Sequence, residues 1–233
     1  MKKALLTLIA LAGAGTFSTL SQAQDAKTGD AARGKGKAQM CIGCHSIVGY
    51  QASFPEVYKV PKIAGQGAKY IVTSLQAYQK GERRHPSMRA IAGSLTDEDM
   101  ADLAAFYEQQ GKAEGTAAPE QLATPLPDAL KDRLLACTAC HGPNFSKPID
   151  TAYPRLAGQH ADYLYATLRA YTIDGNPHVG RANAVMRSQV LQESEGKKKP
   201  TFSNTELKQV AAYLSKLPGD LKTVPEPRLH KQH

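Results

Sequence analysis

The stretch Cys41-Ile42-Gly43-Cys44-His45 returns, residue type for residue type at its key positions, as Cys137-Thr138-Ala139-Cys140-His141. These hold all 4 cysteines of the 233-residue chain. An exported protein normally spends an even set of cysteines on disulfides, and two C-x-x-C knuckles could instead close a zinc site. Neither use accounts for a histidine directly after each pair in a chain with only 7 histidines. The spacing is the attachment signature of c-type haem. Residues three apart share one face of a helical turn, so both thiols can meet the vinyl groups on one porphyrin edge and form thioethers. The adjacent histidine then points beneath the ring and can ligate iron. The expectation is two covalently bound haem c groups, held through Cys41 and Cys44 and through Cys137 and Cys140, with His45 and His141 as iron ligands. No thiol is left over for a disulfide, a zinc site or a thiolate ligand.

Aligning the two motifs exposes an internal repeat. Pro61-Lys62-Ile63-Ala64-Gly65-Gln66 matches Pro154-Arg155-Leu156-Ala157-Gly158-Gln159, and Tyr70, Leu75 and Tyr78 match Tyr163, Leu168 and Tyr171, all 93 positions apart. Each copy closes on a capped amphipathic helix. Thr96 with Asp99 opens one and Ser203 with Glu206 the other. The stripes Met100, Leu103, Ala104, Tyr107 and Leu207, Val210, Ala211, Leu214 follow helical spacing. Their offset of 107 requires insertions in the second copy, including the segment from Glu193 to Pro200, where Lys197, Lys198 and Lys199 read as a solvated loop. Each copy thus reads as three helices: one entering the haem motif, one over Tyr70–Lys80 or Tyr163–Thr172 stopped by Gly81 or Gly175, and one at the end. No stretch alternates with period two for long, so the fold class is all-α.

The remaining ligand of each iron decides the chemistry, since thioether, imidazole and an open position imply different functions. Met40 reads as packing and Met100 as core. Met88 and Met186 lie 43 and 45 residues after His45 and His141, in loops before the terminal helices. Their matching places in the repeat select them as the second axial ligands. His85 and His178 match less well and read as surface loop residues. Arg83, Arg84 and Arg181 precede the methionines, and with Tyr70, Tyr78, Tyr163 and Tyr171 they are candidates to hydrogen-bond haem propionates where the units meet.

The N-terminus reads as an address. Lys2 and Lys3 precede an apolar run from Ala4 to Gly15, and Ser21-Gln22-Ala23 offers a cleavage site. The run is too short to span a bilayer. The expected organisation is 1–23 signal peptide, 24–108 first cytochrome c domain, 109–127 linker with Pro119, Pro125 and Pro127, 128–220 second cytochrome c domain, and a loose tail 221–233. The mature chain then has no transmembrane segment and resides in the periplasm, with access to the membrane surface. The net charge of +8 suits an acidic protein partner. Nucleic acid is excluded by the compartment.

These features together resemble the dihaem cytochrome c4 family over essentially the whole mature chain. The resemblance implies two tandem class I cytochrome c domains related by a pseudo-twofold axis, with propionate edges facing across the interface. It implies axial pairs His45 with Met88 and His141 with Met186, and carbonyls of Pro61 and Pro154 accepting a hydrogen bond from the axial histidines. Ser46 stands where Gly142 follows the second motif, a departure tolerated if its backbone avoids positive φ. The function implied is electron carriage between a quinol-oxidising membrane complex and a terminal oxidase or reductase. The chain is expected not to be an enzyme, because His/Met ligation fills both iron faces. The alternatives are the haem subunit of a periplasmic dehydrogenase, a dihaem peroxidase or a thiosulfate dehydrogenase. The last uses a cysteine ligand, and no cysteine is spare.

Overall fold

A computed structural model describes residues 28–113 and 118–227, without the side chains of 112 and 113. The signal-peptide segment 1–23 and the last six residues of the tail lie outside the described residues. The first unit opens with α1 (Ala31–Lys37) and α2 (Gln39–His45), which carries the first haem motif. Two-residue strands β1 (Gln51–Ala52) and β2 (Tyr58–Lys59) pair antiparallel. Then follow α3 (Ala68–Gln79), β3 (Arg83–Arg84), α4 (Pro86–Gly93) and α5 (Asp97–Ala113). The second unit enters by a 3₁₀ turn at Asp128–Leu130 and runs α6 (Lys131–His141), α7 (Ala161–Ala170), β4 (Gly180–Arg181), α8 (Ala184–Val190), the hairpin β5 (Leu191–Ser194) and β6 (Lys197–Pro200), and α9 (Asn204–Lys216).

Both units run motif helix, middle helix, methionine helix and terminal helix in that order, with the β1–β2 pair present in the first and the β5–β6 hairpin in the second, and the architecture is mostly helical, as the periodicity predicts. The terminal helices begin where the capping signals stand. Thr96 N donates to Asp99 Oδ2 at 2.9 Å and Asp99 N to Thr96 Oγ1 at 3.1 Å; Ser203 and Glu206 form the same reciprocal box. Val210, Ala211 and Leu214 are buried with Leu134, Phe145 and Leu164 in the second core, and Met100, Leu103 and Tyr107 with Ala38 and Leu95 in the first; Leu207 is buried as well.

In the first unit α1 crosses α5 closely. A Cβ on Gly34 would lie 2.0 Å from the carbonyl oxygen of Asp102, so only glycine permits the crossing. Asp102 is fully buried there. Its carboxylate accepts from Arg33 Nε and Nη2 at 2.8 Å each, from Lys37 Nζ at 2.9 Å and from Asp30 N at 2.7 Å. Burial opposes ionisation, yet these donors, Arg33 foremost, hold the carboxyl well below the usual carboxylate range.

Four expectations are corrected. The linker begins later than 109, because α5 continues to Ala113 and its Gly111 abuts Gly65 so closely that a Cβ would lie 2.0 Å from the Gly65 Cα. The tail is tied down at its start: Leu221 is buried and Lys222 N donates to Ala64 O at 3.0 Å. The insertion of the second unit is a paired hairpin, not a plain loop. Met88 and Met186 sit in α4 and α8, not in loops. By contrast Ser46 has φ −108° while Gly142 has φ +82°, so the serine meets no strain.

Candidate haem sites

Each haem motif ends a helix, so the two cysteines and the histidine lie on its last turn. His45 Nδ1 lies 2.9 Å from Pro61 O, and His141 Nδ1 lies 2.9 Å from Pro154 O. A carbonyl can only accept, so each Nδ1 carries the proton and each Nε2 keeps a lone pair. Burial lowers the pKa of both imidazoles, against the smaller opposing effect of the proline carbonyl. Neutral imidazole oriented by its other nitrogen is the form that ligates iron. Burial pushes the Cys41 and Cys137 thiols up.

The methionines are placed by matching helix starts. His85 caps α4, its Nδ1 accepting from Met88 N at 3.3 Å, and Asn183 caps α8, its Oδ1 accepting from Met186 N at 3.0 Å. Both methionines therefore stand at the third position of a capped helix. His85 is a half-buried cap and not a surface loop residue. His178 is exposed, its ring 5.5 Å from that of Phe54.

One cavity of about 630 Å³ runs between the units. Cys41, Cys44, His45 and Met88 line it from the first unit, and His141 and Met186 from the second. Cys137 and Cys140 are not among its lining residues; Cys137 packs against the second core. Met40, read as packing, is 49% exposed and borders the cavity. Met100 is core, as expected.

The polar wall of the cavity tests the fit of haem. Arg83 Nη2 donates to Tyr70 Oη at 3.1 Å, and its guanidinium also lies over the Tyr78 ring. Arg181 repeats this with Tyr163 Oη at 3.1 Å and the Tyr171 ring. The backbones of the two arginines pair across the unit boundary as β3 and β4. Neither arginine has a carboxylate partner among the described residues, and Arg181 Nη1 is buried without a hydrogen-bond acceptor. Arg181 Nη2 also donates to Thr167 Oγ1 at 3.2 Å; a buried guanidinium that meets phenols, one hydroxyl and an apolar cavity, but no carboxylate, suits an anion. Burial alone would raise the Tyr70 phenol, but Arg83 and Arg181 bring it down to about 8. Haem, with an apolar ring and two carboxylates, fits this lining, and imidazole with thioether suits its iron. Arg84, grouped with these in the sequence reading, turns instead to Asn176 O at 3.0 Å.

The repeated A-G-Q segments do something the sequence reading missed. Gln66 reaches into the second unit, where its Nε2 donates to Arg155 O at 3.1 Å and its Oε1 accepts from Arg155 N at 2.9 Å. Gln159 does the same to Lys62, at 2.9 and 3.0 Å. The basic side chains reciprocate: Arg155 Nη1 donates to Gly65 O at 2.8 Å and Lys62 Nζ to Gly158 O at 2.6 Å. Gly65 and Gly158 both have positive φ, and their N–H groups bond to the terminal helices at Tyr107 O and Leu214 O. The 93-residue offset preserved the signal, a glutamine and a cation at matched places. Their role needed a second unit related by a twofold axis.

Comparison with known proteins follows the same outline. The cytochrome c family profile matches twice, over residues 31–110 and 132–218. The cytochrome c4 of Azotobacter vinelandii is 32% identical over 93% of this chain and 100% of its own. The crystal structure of reduced recombinant cytochrome c4 from Pseudomonas stutzeri superposes with a TM-score of 0.55 at 26% identity, over 82% of this chain and 100% of that one. A thiosulfate dehydrogenase electron acceptor from Stutzerimonas stutzeri is 34% identical over 58% of this chain and 63% of its own.

Proposed function

This chain belongs to the dihaem cytochrome c4 family, and on that premise we propose that it shuttles electrons in the periplasm with His45 and Met88 holding one iron and His141 and Met186 the other. It is an electron-transfer cytochrome with two covalent haem c groups; Cys41 with Cys44 and Cys137 with Cys140 are the residues that would form the thioethers. When bound, the haems supply a reversible Fe(II)/Fe(III) couple whose ferrous state a thioether ligand favours.

The chain's own residues do the positioning. The carbonyls of Pro61 and Pro154 hold each imidazole in one tautomer and one orientation. His85 and Asn183 fix the first turn of the methionine helices. Arg83 and Arg181, with Tyr70 and Tyr163, are placed to meet carboxylates at the unit boundary. Apolar side chains of the cavity wall, among them Ile71, Leu75, Leu164 and Leu168, would keep water from a bound haem. An iron that took the His and Met of its own unit as its ligands would have no position left for a substrate, so the reading is a carrier and not an enzyme. Residues 1–23 direct export and are removed.

The observation that carries this reading is the single cavity reached by both axial histidines and both candidate methionines. Partners are inferred from chemistry: a quinol-oxidising membrane complex as donor and a terminal oxidase or reductase as acceptor. The likeness to a thiosulfate dehydrogenase electron acceptor supports a second reading, in which a periplasmic dehydrogenase is the donor. Among the described residues no helix is long and apolar enough to cross a membrane.

A pyridine haemochrome assay with a spectroscopic redox titration tests the proposal. It is expected to give two haems per chain and two one-electron steps. One haem, or haem extractable by acid acetone, contradicts it. Electron transfer from a purified thiosulfate dehydrogenase, but not from a quinol-oxidising complex, would select the second partner reading.

A further inference from the structure

The second unit has an element without a counterpart in the first. Only residues 94–96 separate α4 from α5, whereas the β5–β6 hairpin stands between α8 and α9. Its pairs are Leu191 with Pro200, Gln192 with Lys199, Glu193 with Lys198, and Ser194 with Lys197. The turn residues Glu195 and Gly196 have φ of 53° and 73°, the left-handed pair that suits a two-residue hairpin loop. Side chains alternate between the faces of a strand, so Glu193 and Lys198 share one face, and Gln192, Ser194, Lys197 and Lys199 share the other.

The first face is anchored. Lys198 Nζ lies 2.8 Å from Asp174 Oδ2, which also accepts from Arg187 Nη2 at 2.8 Å. Just beyond the hairpin, Thr201 N and Oγ1 donate to Val190 O and Gln189 O at 3.0 and 2.7 Å. Arg187 directly follows Met186, so the hairpin is fastened to the helix bearing the second unit's methionine. The other face is exposed, and Lys197 and Lys199 form no ion pair among the described residues. At the corresponding corner of the first unit, α5 opens with Asp97, Glu98 and Asp99. Glu98 and Asp99 there are paired with Arg33 and Lys37, so among the described residues this corner of the first unit has no comparable lysine face.

We propose that the Lys197 and Lys199 face of the hairpin is the docking surface for an acidic protein partner, and that it makes the second unit the one that exchanges electrons with that partner. This rests on the carrier reading above. Two unpaired cations on a rigid support steer an acidic surface toward the adjoining methionine helix, and salt weakens the steering. A lipid surface fits less well: segments that bind it carry about 4–8 basic side chains or an apolar edge. The outward face here offers two lysines beside glutamine and serine.

The test uses the holoprotein and plastocyanin, an acidic copper protein, as probe. A ferrous haem of the chain gives one electron to Cu(II) and becomes ferric, while copper becomes Cu(I). Wild type is compared with Lys197→Glu/Lys199→Glu and with Lys35→Glu/Lys80→Glu, an equal charge change on exposed lysines of the first unit. At low salt the hairpin variant is expected to lose about tenfold in second-order rate and most of its salt dependence, with the control pair within about twofold of wild type. Carbodiimide cross-links to the probe should map to Lys197 or Lys199. An unchanged rate in the hairpin variant, an equal loss in the control pair, or a wild-type rate independent of salt overturns the proposal. So does binding to phosphatidylglycerol vesicles that the hairpin substitutions abolish while the plastocyanin rate stays constant. Reduction by hexaammineruthenium(II) separates the two readings: a chain whose haems do not cycle with that small reagent fails as a carrier, not as a docking surface.

Discussion

Replacing Gln66 by alanine removes more than one side chain from the interface between the units. The amide of Gln66 is the partner of both backbone polar groups of Arg155, and its Oε1 also accepts from Gly67 N at 3.1 Å. Gln66 is 5% exposed, so water does not take its place without opening the interface. A buried backbone group left without a partner costs about 1–3 kcal/mol. Two such groups on Arg155, partly relieved by local opening, place the loss at about 2–4 kcal/mol. Gln159→Ala is expected to cost the same, because Gln159 serves Lys62 N, Lys62 O and His160 N in the same pattern. Gln66→Glu keeps the acceptor for Arg155 N but sets a charged oxygen against the Arg155 carbonyl, so it should be no milder than alanine. Urea unfolding of the holoprotein, followed by far-UV circular dichroism and by the Soret band, measures all three. A change below about 0.5 kcal/mol in either alanine variant, or a loss at one glutamine and not the other, would refute the reciprocal clamp; the lower figure is the size expected of an ordinary surface substitution.

Met88→His or Met186→His should lower the potential of that unit's haem alone and halve the near-infrared sulfur-to-iron band, since imidazole favours Fe(III) more than thioether does; two unchanged bands would contradict the ligand assignment. Arg181→Gln removes a cation from the cavity wall, which favours the ferric state, so at least one potential should fall by on the order of 50 mV while both haems stay attached; a titration unchanged from wild type would show that the guanidinium does not face the redox centre. Asp102 titrates below its unfolded value, so its contribution to stability is present above pH ~3.9 and is lost as pH falls from there toward the folded pKa. Asp102→Asn should therefore be less stable at neutral pH and show a shallower loss of stability on acidification, measured by thermal unfolding at a series of pH values.

The features legible along the chain are those written in a few adjacent residues. Two thiols and an imidazole within five positions specify a haem attachment turn, and the helix boxes at Thr96 and Ser203 are closed by residues three apart. The repeat doubles every local reading, and that is what singles out Met88 and Met186 as candidate ligands. Their helices were not read, because the caps are His85 before Pro86 in one copy and Asn183 in the other, with no shared box. Other features depend on residues that meet only after the chain has turned back on itself. The helical state of residues 109–113 depends on Gly111 fitting against Gly65, and the hold on the tail depends on Leu221 finding a buried place. Arg83 meets Arg181 backbone to backbone, and Gln66 meets Arg155 89 positions away. No local pattern specifies a partner that distant: the matched glutamine and cation were visible in both copies, but only the packing of one unit against the other turned them into a clamp.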